Sequence, residues 1–154
     1  MSTVRLVSIA AIALIATLAL IIFIPSGDSS AVSANVETSS EIRFDKIKTD
    51  EDRIAFLAKY GYTVEATPIE TVEVTIPKEF DKVFSAYNEL QKAEGLDLGR
   101  YKGKKLTRYT YKVTNYPSYD GDVYASLLIY KNKVVGGDVC SASPSGFAHG
   151  LKKE

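Results

Sequence analysis

Cys140 and His149 are the only cysteine and the only histidine in the 154-residue chain, nine positions apart in VVGGDVCSASPSGFAHG. A thiol and an imidazole within reach of each other can act as nucleophile and base. The ring takes the thiol proton, and a third group, here Asp138 or Asn115, orients the ring. That chemistry would make the chain a small Cys/His-dependent hydrolase or transferase of the cell envelope. The competing reading is structural: Cys140 falls near the end of a strand-like run, where a lone cysteine behaves as a small buried hydrophobe. The structural reading is preferred, so no catalytic residue is assigned, with Cys140 and His149 kept as the pair to test. One cysteine and one histidine do not complete a four-ligand zinc set, and no metal or cofactor is expected. Gly136-Gly137 inside the run marks a bulge or close backbone packing.

A second group of residues suggests binding. Arg100, Lys102, Lys104, Lys105 and Arg108 alternate with Tyr101, Tyr109 and Tyr111 over a short stretch. Bases interleaved with rings suit a groove for an anionic polymer. Tyr119, in the turn YPSYDG, is the ring most expected at the surface. The plainer alternative is a loop of solvated lysines leading into an amphipathic strand whose tyrosines pack inward. No phosphate-cradling loop, Gly-x-Ser-x-Gly elbow or His-Glu-x-x-His helix is present.

Which anion such a groove would meet depends on compartment. Leu6 to Ile24 is an uncharged apolar run of 19 residues, about 28 Å as a helix and close to the hydrocarbon thickness of a bilayer. A cleaved signal peptide is the rival, with Val32-Ser33-Ala34 as its cleavage site, but its apolar region would be shorter, about 7–15 residues. Arg5 before the run, with no base after it until Arg43, favours a cytoplasmic N-terminus and a C-terminal part outside. The expected organisation is thus a cytoplasmic N-terminus (1–5), a transmembrane anchor (6–24), a flexible Ser-rich tether (25–46) and an extracytoplasmic domain (47–154). Outside the membrane, nucleic acid is not the expected partner; teichoic-type polymers, peptidoglycan carboxylates or anionic lipid headgroups are. The formal net charge of zero conceals an asymmetry. Asp28 to Gly99 holds 15 acidic and 8 basic residues, whereas Arg100 to Glu154 holds 4 acidic and 10 basic. The two halves either polarise the domain or interleave within it.

The elements that would position these residues follow from periodicity. Thr49-Asp50-Glu51-Asp52 starts a helix with a cap and first-turn acids; Ile54, Leu57 and Ala58 form its apolar stripe, widened by Phe56 and Tyr60, and Gly61 stops it. Tyr62 to Ala66 and Ile69 to Ile76, split by Pro68, suggest a hairpin. Phe80, Val83, Phe84, Tyr87 and Leu90 define a helix over Lys78 to Glu94, with Pro77 in its first turn and Gly95 and Leu96 forming a Schellman end. Leu106 to Tyr116 alternates, Asp122 to Lys131 is apolar on both faces as in an interior strand, and Asn132-Lys133 turns the chain into Val134 to Ser141. The predicted fold class is α+β: an antiparallel sheet of about five strands with two helices on one face, in the order α-β-β-α-β-β-β, preceded by one N-terminal transmembrane helix. The segment after Ser141 is expected to be coil, with Phe147 pinning it to the core.

Together, FLAKYGYTVE (Phe56 to Glu65), VTIPKEFDKVFSAYNELQKAEGLDLGRYKGK (Val74 to Lys104), YTYKVTNYP (Tyr109 to Pro117) and VVGGDVCSASPSGFAHG resemble a bacterial family of unknown function, number 4830 among such domains. These pieces span nearly all of Asp50 to Gly150. The resemblance implies a membrane-anchored or exported protein of Gram-positive-type bacteria and brings no activity with it. The expected function is therefore a single-pass, membrane-anchored extracytoplasmic domain that binds an anionic envelope polymer or a partner protein. The alternatives are the Cys140/His149 enzyme and an assembly subunit of an envelope or sporulation complex.

Overall fold

A computed structural model describes residues 42–153; the expected anchor at 6–24 and the expected tether up to residue 41 lie outside the described residues. The architecture is α+β, a five-stranded antiparallel sheet with two helices. Helix α1 is Asp50–Lys59, and its start is the expected capping box. The Asp52 N–H donates to Thr49 Oγ1 at 3.2 Å, and the Thr49 N–H donates back to Asp52 Oδ2 at 2.9 Å, so two otherwise orphaned donors are satisfied. The buried stripe is Arg53, Phe56 and Leu57, rotated from the expected Ile54, Leu57 and Ala58; Ala58 is exposed. Rotation is possible because Arg53 buries without loss of partners. Its stem and head lie 3.7 Å over the Tyr109 ring centroid, while its nitrogens reach Tyr111 Oη, Asp50 and the Lys48 carbonyl. Phe56 and Leu57, essentially inaccessible, stabilise this layer by about 1.5–3 kcal/mol each.

Strand β1 is Glu70–Thr75, and helix α2 is Lys82–Lys92. The helix starts later than the predicted Lys78 because Asp81, not Pro77, supplies its cap, accepting the Phe84 N–H at 2.7 Å. Its end is the expected Schellman pair: Leu96 N–H to the Gln91 carbonyl and Gly95 N–H to the Lys92 carbonyl, both 3.0 Å, with Gly95 at φ 80°. The apolar stripe is again displaced. Val83 is 47% exposed, and the fully covered positions are polar Asn88 and Gln91. A short 3-10 helix, Leu98–Tyr101, leads to strands β2 (Lys105–Val113), β3 (Val123–Tyr130), β4 (Lys133–Ser141) and β5 (Ala148–His149).

The sheet runs β1-β2-β3-β4-β5, each neighbour antiparallel. Two expectations are corrected by it. Tyr62 to Ala66 is not a strand: β1 occupies the outer edge of β2 from Lys105 to Thr110, so only a single bridge, Val64 to Val113, remains for that segment. The fifth strand comes instead from Ala148-His149, within the expected coil. Second, the helices do not share a face. Phe56 and Leu57 of α1 cluster with Tyr111, Val113, Ala125 and Leu127, whereas Phe84 and Tyr87 of α2 pack with Leu106, Leu128 and Val135. Alternation turns these two sets to opposite sides of the sheet. The reason is β3 itself: a strand apolar on both faces must be covered on both.

The tight turn is Lys131-Asn132, one residue earlier than expected, with both residues at positive φ (47° and 61°) as a type I′ hairpin requires. The outer edge of β4 is then closed by three devices. The Val134 N–H donates to the Phe44 carbonyl and the Ile47 N–H to the Asn132 carbonyl. Gln91 exchanges two 2.9 Å hydrogen bonds with the backbone N–H and C=O of Gly137. Finally, β5 pairs Val139 and Cys140. Gly137 is needed there because a β-carbon would meet Leu151 and the Ser126 carbonyl oxygen at 2.9 Å. By contrast β1 pairs on one side only. With Ile76 and Lys104 hydrogen-bonded, alternation turns the N–H and C=O groups of Thr71, Glu73 and Thr75 outward.

Candidate functional site

The antiparallel register gathers lysines that are far apart in the chain. Thr107 pairs with Ile129, and Tyr130 with Lys133, so the start of β2 and the β3–β4 turn occupy one end of the sheet. The loop after β1 joins them: the Gly103 N–H donates to the Ile76 carbonyl at 2.8 Å, and the Lys78 stem lies against Gly103. Lys78, Lys102, Lys104, Lys131 and Lys133 are all exposed here, and none has an ion pair among the described residues. Half-buried rings support them. Lys102 Nζ lies 4.6 Å over the Phe80 centroid and Lys131 Nζ 5.4 Å over that of Tyr130, which packs edge-on against Tyr101 at 5.5 Å. The nearby acids are mostly engaged: Glu73 by Lys105 at 2.9 Å, Asp81 by the cap of α2, and Asp97 by Asn88 and the Gly99 N–H; Glu79 is exposed.

Of the basic and aromatic residues singled out in the sequence, Lys102 and Lys104 lie within this cluster, and Arg100 stands beside it, 3.8 Å from Asp97 with its side chain 80% exposed. Lys105 is held by Glu73, whose carboxylate raises the pKa of its ammonium. Arg108 points to the α2 face, where its Nη2 binds Glu70 at 2.7 Å and its buried Nε has no hydrogen-bond partner. Tyr119 lies beyond the other end of β2, a nine-residue strand roughly 30 Å long. Its ring packs edge-on against Phe147 at 5.2 Å. The six residues therefore do not form one groove. The acidic and basic halves of the chain meet across β1 and β2, through Glu73–Lys105 and Glu70–Arg108. Lys78, Lys131 and Lys133 were missed, though a lysine-flanked hairpin turn antiparallel to the start of β2 must share its end.

Cys140 and His149 are close in register but not in direction. His149 pairs with Val139, and Cys140 with Ala148, so the imidazole and the thiol project from opposite faces. The His149 ring stacks on Phe147 at 5.6 Å, with Nε2 2.8 Å from Tyr116 Oη and Nδ1 2.6 Å from the Gly150 carbonyl oxygen. The thiol lies on the α2 side, where burial pushes its pKa to about 11, aided by the charge of Asp138 and opposed by Arg108. A thiol so held is a poor nucleophile at neutral pH. Neither proposed orienting group serves the ring: Asn115 binds the Gly61 carbonyl and the Thr63 N–H, and Asp138 accepts from Tyr87 Oη at 2.7 Å. Asp138 ends a polar row across the sheet, Glu70, Thr110, Ser126 and Asp138, in which burial raises the Asp138 pKa. Among the described residues, no three His, Cys, Asp or Glu side chains converge to hold a metal.

A shallow open cleft of about 200 Å³ borders Arg43, Asp45, Lys46 and the Asp52–Lys59 side of α1. Arg43 and Asp45 pair within it at 3.4 Å. No curated protein and no solved structure matches the chain. The model of the family described as domain of unknown function DUF4830 matches residues 56–139, from within α1 to within β4. That stretch is more than half of the chain and carries the end of α1, all of α2 and the lysine cluster, and the chain belongs to this family.

Proposed function

We propose that the protein is a single-pass, membrane-anchored extracytoplasmic domain that binds an anionic component of the cell envelope without transforming it. The lysine end of the sheet is its working surface. The observation that carries this reading is the convergence of Lys78, Lys102, Lys104, Lys131 and Lys133 from three separate segments with no ion pair among the described residues. Exposed like charges repel one another, and an anion brought to them relieves that repulsion. Support for anchoring comes from the uncharged run Leu6 to Ile24 and the Ser-rich segment after it.

The test is binding of poly(glycerol phosphate) to the detergent-solubilised full chain, followed by calorimetry across a salt series. Binding should weaken steadily as salt rises and should vanish when Lys102, Lys104, Lys131 and Lys133 are all replaced by Ser. Equal binding by that variant would overturn the assignment. A second reading, an assembly subunit, is favoured by the open edge of β1, which can accept a strand from a partner protein.

A further inference from the structure

We infer that the lysine end is a footing for anionic lipid headgroups of the membrane that carries the anchor. The inference rests on the anchored reading above and names the partner of the same surface. Three observations lead to lipid. First, the described residues begin beside this end: Ile47 donates to the Asn132 carbonyl of the lysine turn, and Phe44 accepts from Val134. Second, 17 residues separate Ile24 from Ile42, and Ser-rich linkers of that length span roughly 20–25 Å root-mean-square. The surface is therefore always within reach, and a contact too weak for a free protein is populated when tethered.

Third, the lysines stand on rings. Lys102 stands over the apolar Phe80 ring, and the Tyr101–Tyr130 pair, with Lys131 over Tyr130, sets two rings with polar tips among the lysines. Aromatic rings with a polar tip settle at the headgroup level of a bilayer, and lysine stems extend past them toward phosphate. Each lysine at an anionic surface multiplies the docked population about fivefold.

The experiment uses the full chain in lipid nanodiscs, either of phosphatidylcholine alone or rich in phosphatidylglycerol. Amine acetylation is read by mass spectrometry at Lys78, Lys102, Lys104, Lys131 and Lys133. Lys59, exposed in the last turn of α1, is the internal reference. The expected result is labelling of the five lysines slowed by about tenfold or more in anionic discs only, with Lys59 unchanged. The protection should disappear in about 1 M salt, where the screening length falls to about 3 Å. Replacing Lys102, Lys104, Lys131 and Lys133 by Ser should release Lys78.

A chain that does not stay with the discs overturns the anchoring, and the footing with it. A chain that stays but labels equally in both lipids overturns the footing alone and leaves the anchored binding domain standing. Protection that appears only when poly(glycerol phosphate) is added, in either lipid, assigns the surface to a polymer and overturns the choice of lipid.

Discussion

Replacing Gln91 tests whether the free edge of β4 is held by a side chain acting as a strand. Gln91 is fully buried, and its amide both donates to and accepts from Gly137 at 2.9 Å. Gln91→Met keeps the length and removes both partners, leaving one backbone N–H and one C=O buried and unpaired. Each costs about 1–3 kcal/mol, partly offset because the glutamine amide no longer needs desolvation. The expected loss is about 2–4 kcal/mol, a Tm lowered by roughly 10–25 °C for a domain of this size. Gln91→Glu sharpens the test. A neutral carboxyl group can still donate to the Gly137 carbonyl, whereas a carboxylate cannot. The folded pKa of Glu at this position should therefore lie above the unfolded value of about 4.3. The folded state then binds more protons, so stability is greatest below that value and falls as pH rises through the folded pKa. Urea unfolding followed by tyrosine fluorescence, at acidic and at slightly alkaline pH, measures both variants. A Gln91→Met variant within about 0.5 kcal/mol of the parent, or a Gln91→Glu penalty independent of pH, would refute the edge-capping role.

Three further outcomes are expected. Tyr111→Phe removes the hydroxyl that accepts from Arg53 at 2.7 Å and donates to Asp50 at 2.6 Å, and urea titration should show a loss of about 1–3 kcal/mol. Because Tyr111 first and Arg53 second hold the Asp50 carboxyl below its usual range, their stabilisation is present above about pH 4 and lost as pH falls through the depressed folded value; stability measured against pH should lose part of its acid limb in this variant. Lys131→Asn combined with Asn132→Gly relieves side chains held at positive φ, and calorimetry should show a gain of about 1 kcal/mol. Finally, with its thiol at about 11, the half-buried Cys140 should react with iodoacetamide in the native protein far more slowly than in urea, and equal rates would contradict this placement.

Local signals in the chain were legible to the residue where one interaction decides them. The Thr49–Asp52 capping box and the Gly95–Leu96 helix end are set by neighbours a few positions apart, whereas the three consecutive strands are legible only to within a few residues, β2 ending at Val113 rather than Tyr116. What could not be read were choices made by distant partners. The large apolar residues of α2 suggest one stripe, but Asn88 and Gln91 are the buried ones because the 3-10 helix and Gly137 offer them polar partners. Helix placement likewise depends on which face of β3 each helix finds. The two-sided apolarity of β3 was visible and already implied two covers. For the site, the basic stretch around Arg100 to Lys105 was visible, but strand alternation sends Arg108 inward, and only the closing hairpin brings Lys131 and Lys133 alongside Lys102.

The unequal edges of the sheet restrict how copies of this domain can combine. A filament built edge to edge needs two usable edges on each copy, one to give and one to receive. Among the described residues β4 is capped, and β5 beyond it is only two residues long, leaving β1 as the one extended edge. Two copies joined through β1 would be related by a twofold axis, and that union uses up the only extended edge among the described residues of each. Sheet extension therefore stops at a pair, and the capping of β4 acts as a chain terminator for self-association.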